Sequence, residues 1–257
     1  MGKDDERMFT RLRVFNLVMA VLHFLQGILM VILSTDFTIR ITRGYLDFDP
    51  IARKLYPETA GIVDIPLGPL IATFLFMSSI AHLLVGTVLY KRYVEDLKKG
   101  MNRFRWAEYS VSASIMIVAI AMLTGIYDIG TLLLIFFMNM MMILFGLRME
   151  VFNQGRDGLD WSPFIFGTIA GIIPWIAIAF HLFGAGGGDG GPPTFVYYIY
   201  GSIAIFFNCF AINMILQYKK VWKWKNYLFG EKVYILLSLV AKSLLAWQVF
   251  AGTLRPE

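Results

Sequence analysis

Lys242 is the one lysine set deep within an apolar run, VYILLSLVAKSLLAWQVF, with about nine apolar or small residues on either side. A side chain placed there cannot easily carry its charge to water along its own stem. Charge within a bilayer is costly enough that an ionisable residue in a spanning segment marks a functional position by default. The apolar runs of this chain contain one carboxylate as well, Glu108. Two chemistries suit a lysine and a glutamate isolated in this way. They can form a structural or substrate-gated ion pair, as in transporters. Alternatively, the amine can condense with an aldehyde, and the carboxylate then balances the charge of the protonated imine, a use of lysine favoured in apolar pockets. Lys242 alone supports both equally.

For either chemistry the two groups must share a depth. The seventh apolar run enters near Phe229, so the Cα of Lys242 lies about 20 Å in at 1.5 Å per residue. Its side chain leans back toward the level of Ser238, roughly 14 Å in. Glu108 reaches that level only if the third helix starts early, near Leu97 to Gly100, with Arg103 and Arg105 on its cytoplasmic turns. Polar residues at helical spacing extend the site. Ser238 precedes Lys242 by four residues, Ser112 follows Glu108 by four, Ser78 precedes His82 by four, and Gln26 follows His23 by three, so each pair shares one helix face. Asn139 adds a polar group in the middle of the fourth run. Serine and asparagine in membrane helices mostly bond to backbones or to neighbouring helices. His23 and His82 say more, because a histidine in an apolar run needs a partner and can take up a proton near neutral pH.

The elements that must position these groups are membrane helices. The chain has 257 residues, 58% hydrophobic and 16% charged, and seven runs are long enough to cross a hydrocarbon core about 30 Å thick. They are 14–33, 65–90, 106–126, 130–147, 161–183, 194–218 and 233–250. Together they use most of the chain, which predicts an all-α membrane protein, a seven-helix up-and-down bundle forming one domain over residues 1–257. The charged start precedes an apolar run too long for a cleaved signal and lacks a small-residue cleavage pattern, so the first run is expected to be a retained helix. Sixteen lysines and arginines fall in segments 1–13, 91–105, 148–156 and 219–225, and five fall between 40 and 54 or at Arg255. This alternation places the N-terminus in the cytoplasm and the C-terminus outside the cell membrane. It also explains the net charge of +5 without nucleic acid; the partners expected are membrane lipids. The lone Cys209 has no disulfide partner. In the long first outer loop, Phe37, Ile39 and Ile41 alternate with polar residues ahead of Gly44 and Tyr45 to Phe48, which predicts a short β-hairpin. The stretch 184–193, GAGGGDGGPP, reads as a flexible outer linker. The 22 phenylalanines and 14 methionines suit a slot for a polyene, with Met141 and Phe206 as candidate lining residues, although membrane cores pack with the same residues.

Seven helices, a lysine in the middle of the seventh and a carboxylate on the third resemble the microbial rhodopsins, and the details resemble the heliorhodopsins among them. The charge bias is inverted relative to ordinary rhodopsins. Ser238 stands where pump-type rhodopsins usually carry an aspartate, four residues before the lysine. Glu108 replaces the usual aspartate of the third helix, with no second carboxylate following it there. The long first outer loop and the pair His23 and His82 are similar to heliorhodopsins too. The resemblance covers the whole chain. It implies all-trans retinal on Lys242 as a protonated Schiff base, Glu108 as counterion, and His23, Gln26, Ser78, His82, Ser112, Asn139 and Ser238 lining or polarising the cavity. It further implies a homodimer and a light-sensing, signalling role, with an unidentified cytoplasmic partner, no enzymatic activity and no net ion pumping. One buried carboxylate agrees with the last point, because vectorial transport needs an acceptor and a donor on opposite sides of the imine. The alternatives are a transporter using a Lys242–Glu108 ion pair with light irrelevant, a light-gated conductance, or a scaffold acting through its hairpin and basic face.

Overall fold

The computed structural model describes residues 3–184 and 191–254, with side chains from Glu6 onward. Most of the expected 184–193 linker lies outside these residues. Seven helices have the length and hydropathy to cross a membrane: α1 (Lys3–Leu33), α2 (Leu67–Gly86), α4 (Arg103–Leu123), α5 (Ile129–Phe152), α6 (Ser162–Gly184), α7 (Thr194–Tyr218) and α8 (Tyr227–Val249). Their apolar composition suits lipid, and their internal backbone bonding removes the cost of unpaired amides and carbonyls there. The chain is a multi-pass membrane protein. Consecutive spans pack side by side, and α8 returns against α1. The pair α6 and α7 stands further apart and meets through aromatic side chains, Trp175 against Tyr200 and Phe207, and Phe183 against Tyr197.

An eighth helix, α3 (Tyr90–Lys98), separates α2 from α4. This corrects the expectation that the third span starts near Leu97. Gly100, at φ +71°, ends α3 in a backbone conformation that side chains disfavour. Asn102 then caps α4, its side chain accepting from the Arg105 amide at 3.0 Å. Met101, Asn102 and Arg105 are buried, so the first turn of α4 lies within the protein rather than at the lipid surface. Glu108, only five residues into its helix, is therefore already inside.

The loop after α1 forms an antiparallel hairpin of β1 (Thr38–Asp49) and β2 (Lys54–Pro66). It is longer than expected, because Gly44 and Tyr45 to Phe48 continue the first strand and pair with Thr59 through Leu55. The turn falls instead at residues 50–53, where the Asp49 carboxylate accepts from the amides of Ile51 at 2.8 Å and Ala52 at 3.0 Å, an Asx turn. Ile39 and Ile41 anchor the hairpin in the main core. Asp128, the cap of α5, accepts from the Thr131 amide at 2.9 Å and from the Gly44 amide at 3.4 Å. It thereby fastens β1 to the end of the bundle.

Candidate functional site

Three helices converge on the amine. Lys242 from α8 donates from Nζ to Glu108 Oε1 of α4 at 2.7 Å and to Ser78 Oγ of α2 at 2.5 Å. Ser78 in turn donates to Glu108 Oε1 at 2.7 Å and approaches its own helix at the Phe74 carbonyl, 3.1 Å away. The side chains of Lys242 and Glu108 are only 4% and 9% exposed, so neither charge is solvated and each depends on the other. The Tyr109 ring lies beneath the ammonium, 5.1 Å from Nζ to the ring centre, close enough for a cation–π contribution. Tyr109 Oη donates to the Tyr234 carbonyl at 3.0 Å, which holds the ring against α8.

The other expected site residues divide into groups. Ser112 and Ser238 are buried, and neither hydroxyl has a hydrogen-bond partner. His82 Nδ1 pairs with Asn16 Oδ1 at 2.7 Å. His23 stacks on His82 with centroids 5.7 Å apart and planes 7° apart, and both of its nitrogens are buried without a partner. Gln26 accepts from Trp247 Nε1 at 3.2 Å, bracing α1 against α8. Asn139 donates to Ser114 Oγ at 3.1 Å and joins α5 to α4 rather than to the amine.

Two of the lining expectations are corrected. Met141 is 46% exposed and faces outward, while Met142 lines the cavity beside Lys242. Phe206 lies outside that cavity and Phe207 lines it. Each was one position off, and one residue turns a helix by about 100°.

That cavity is walled by Trp106, Tyr109, Met116, Met142, Phe207 and Phe210, with Ser238 and Lys242 at one end. Trp106, Met142, Ile143, Phe207 and Phe210 also line a second, adjoining space, bounded by Gly146, Gly167 and Gly171 and reaching Trp175 between α5, α6 and α7. A Cβ at Gly146 would come within 3 Å of the Trp106 ring, and one at Gly171 would collide with the Met142 sulfur. The glycines therefore keep the slot open and its aromatic walls in place. A long apolar slot with a reactive amine and the unpartnered Ser238 hydroxyl at one end fits retinal in both shape and chemistry.

A second buried cluster went unrecognised in the sequence. Arg105 bridges Glu150 of α5 and Glu231 of α8, and all three side chains are at most 3% exposed. Glu150 also accepts from Trp106 Nε1 at 2.6 Å, the Asn102 amide at 2.9 Å and Tyr227 Oη at 3.1 Å. Glu231 accepts from Asn102 Nδ2 at 2.6 Å and Tyr93 Oη at 3.3 Å. Lys242 and Glu108 are thus not the only buried charges, and Arg105 is not a solvated cytoplasmic cation. A small cavity lined by Asn16, His82, Tyr93, Arg105, Glu108 and Glu231 among others runs from this cluster to Glu108. Helical spacing carried the missing signal. Glu231 precedes Lys242 by eleven residues, about three turns, and Arg105 precedes Glu108 by three, so both share a face with a recognised site residue.

No curated relative matches the chain. The sequence model of the heliorhodopsins matches residues 12–254, nearly the whole chain, and this protein belongs to the heliorhodopsin family of retinal-carrying, rhodopsin-type membrane proteins.

Proposed function

We propose that this protein is a light sensor in which all-trans retinal is joined to Lys242 as a protonated Schiff base, with Glu108 as counterion. The observation that carries the reading is the three-way contact of Lys242, Glu108 and Ser78 at one end of an apolar slot. Bound there, retinal supplies visible-light absorption and a photoisomerisation that displaces the charge at the Lys242 nitrogen. Glu108 balances that charge, and Ser78 holds the carboxylate by donating to the same oxygen. Trp106, Tyr109, Met142, Phe207 and Phe210 wall the slot and exclude water. His82, fixed by Asn16 and stacked on His23, borders the small cavity that Glu108 shares and can take the proton released from Lys242 Nζ. The altered charge in that cavity, felt by the Arg105 cluster, is the signal passed to a cytoplasmic partner.

Signalling without net pumping agrees with the placement of the acids. The premise of a single buried carboxylate fails, yet the buried acids among the described residues, Asp96, Glu150 and Glu231, belong with Glu108 to the end that holds the N-terminus. A proton leaving Lys242 on that side returns from the same side. The basic segments support a cytoplasmic location for this end. The hairpin exposes Leu46, Phe48 and Leu55 at 55–64%, an apolar face that supports a homodimer through the outer loops. Illumination of retinal-loaded vesicles tests the functional reading. Transient absorption should show a slow cycle with no sustained pH change outside, whereas a steady, protonophore-sensitive pH change would contradict it.

A further inference from the structure

The loop between α7 and α8 is built against its own backbone preferences. Lys220 and Trp222 adopt φ values of +51° and +46°, a region in which side-chain-bearing residues cost about 1–3 kcal/mol each unless their surroundings hold them there. The surroundings do so here. Trp224 turns inward, donating from Nε1 to Asn213 Oδ1 at 2.6 Å and packing edge-on against Phe229. Asn213 donates to the Gly230 carbonyl at 3.1 Å, and Gln217 donates to the Tyr227 carbonyl at 3.1 Å. These contacts pin the loop flat against the ends of both helices. The same backbone turns Trp222 outward, where it is 70% exposed. Lys223 lies over its ring, 4.6 Å from Nζ to the ring centre. Lys219, Lys220 and Lys225 are exposed around it, and among the described residues none of the four lysines forms an ion pair with a carboxylate.

We infer that this loop is a docking site for the headgroup of an anionic phospholipid in the leaflet around the N-terminal end. An indole at the end of two spanning helices sits at the level where tryptophan anchors to the membrane interface. Four unpaired ammonium groups beside it attract phosphate. The lysines alone would serve a soluble acidic protein, whereas an exposed indole at the ends of two spanning helices adds the contact that the membrane interface favours. The rigid backbone presents both elements together without an ordering cost on binding. This assignment is independent of retinal.

Quenching of tryptophan fluorescence by brominated lipid tests it in nanodiscs. Brominated phosphatidylglycerol should quench more strongly than brominated phosphatidylcholine, and Trp222→Phe should remove that excess. Lys223→Gln should lower the lipid preference about fivefold, and replacing all four lysines with glutamine should abolish it, while Lys223→Arg retains it. Circular dichroism confirms that each variant keeps its helices. Equal quenching by the two lipids, which is also the result expected of a loop that serves an acidic protein, would overturn the assignment. An excess that survives the fourfold replacement would overturn it too.

Discussion

Ser78 touches both members of the Lys242–Glu108 pair, accepting from the amine at 2.5 Å and donating to the carboxylate at 2.7 Å. The pair is therefore a three-helix junction of α2, α4 and α8, and its parts depend on one another. In the retinal-free protein, Glu108→Gln or Lys242→Met alone strands a buried charge and should cost about 3–5 kcal/mol. The double variant should recover much of that loss, and Ser78→Ala should cost about 1 kcal/mol. Thermal unfolding in lipid measures all four, and additive losses in the double variant would refute the coupling.

Arg105 is held by two carboxylates that have no other cationic partner among the described residues. Arg105→Met should destabilise the fold by about 3–5 kcal/mol by leaving both unpaired. Arg105→Lys should rescue little, because one ammonium cannot reproduce a planar fork bonding in two directions. A melting temperature for Arg105→Lys close to that of the unaltered protein would count against the bridging role.

Gly146 and Gly171 leave the room that the slot uses. Gly146→Val should push the Trp106 ring into the cavity and lower retinal uptake by about tenfold or more, with little loss of helix content. Titration of the visible band against added retinal checks this; unchanged uptake would place the ligand elsewhere.

Asp128 sits outside the spanning segments, and the amide and hydroxyl of Thr131 hold its carboxyl below the usual range. A carboxylate of depressed pKa stabilises the fold fully above its unfolded value, about 3.9, and loses that contribution as pH falls through its folded value. Hairpin protection in hydrogen exchange should hold at neutral pH and weaken below about pH 4. Asp128→Ala should cost about 1 kcal/mol and flatten that pH dependence.

The sequence showed the main pair because an isolated charge in an apolar run is conspicuous wherever the helix begins. It also showed the seven spans and, through spacing of four residues, the association of Ser78 with the site. It hid the Arg105 cluster because Arg105, Glu150 and Glu231 lie near the ends of their runs, where charges usually meet water. What buries them is α3 and the chain that folds over the bundle end after it, a tertiary arrangement with no local signature. Lining residues failed for a different reason. Met141 and Met142, or Phe206 and Phe207, are chemically equivalent neighbours, and only the rotation of the packed helix selects between them. The hairpin turn was misplaced because Gly44 looks like a turn residue, while the Asp49 carboxylate makes the real one.

The central claim is that Lys242 carries the chromophore. Adding all-trans retinal to the purified protein and recording its visible spectrum tests this most directly. The structure predicts a visible band that Lys242→Ala abolishes and Glu108→Gln shifts. Absence of any band, or a band that persists in Lys242→Ala, would contradict it.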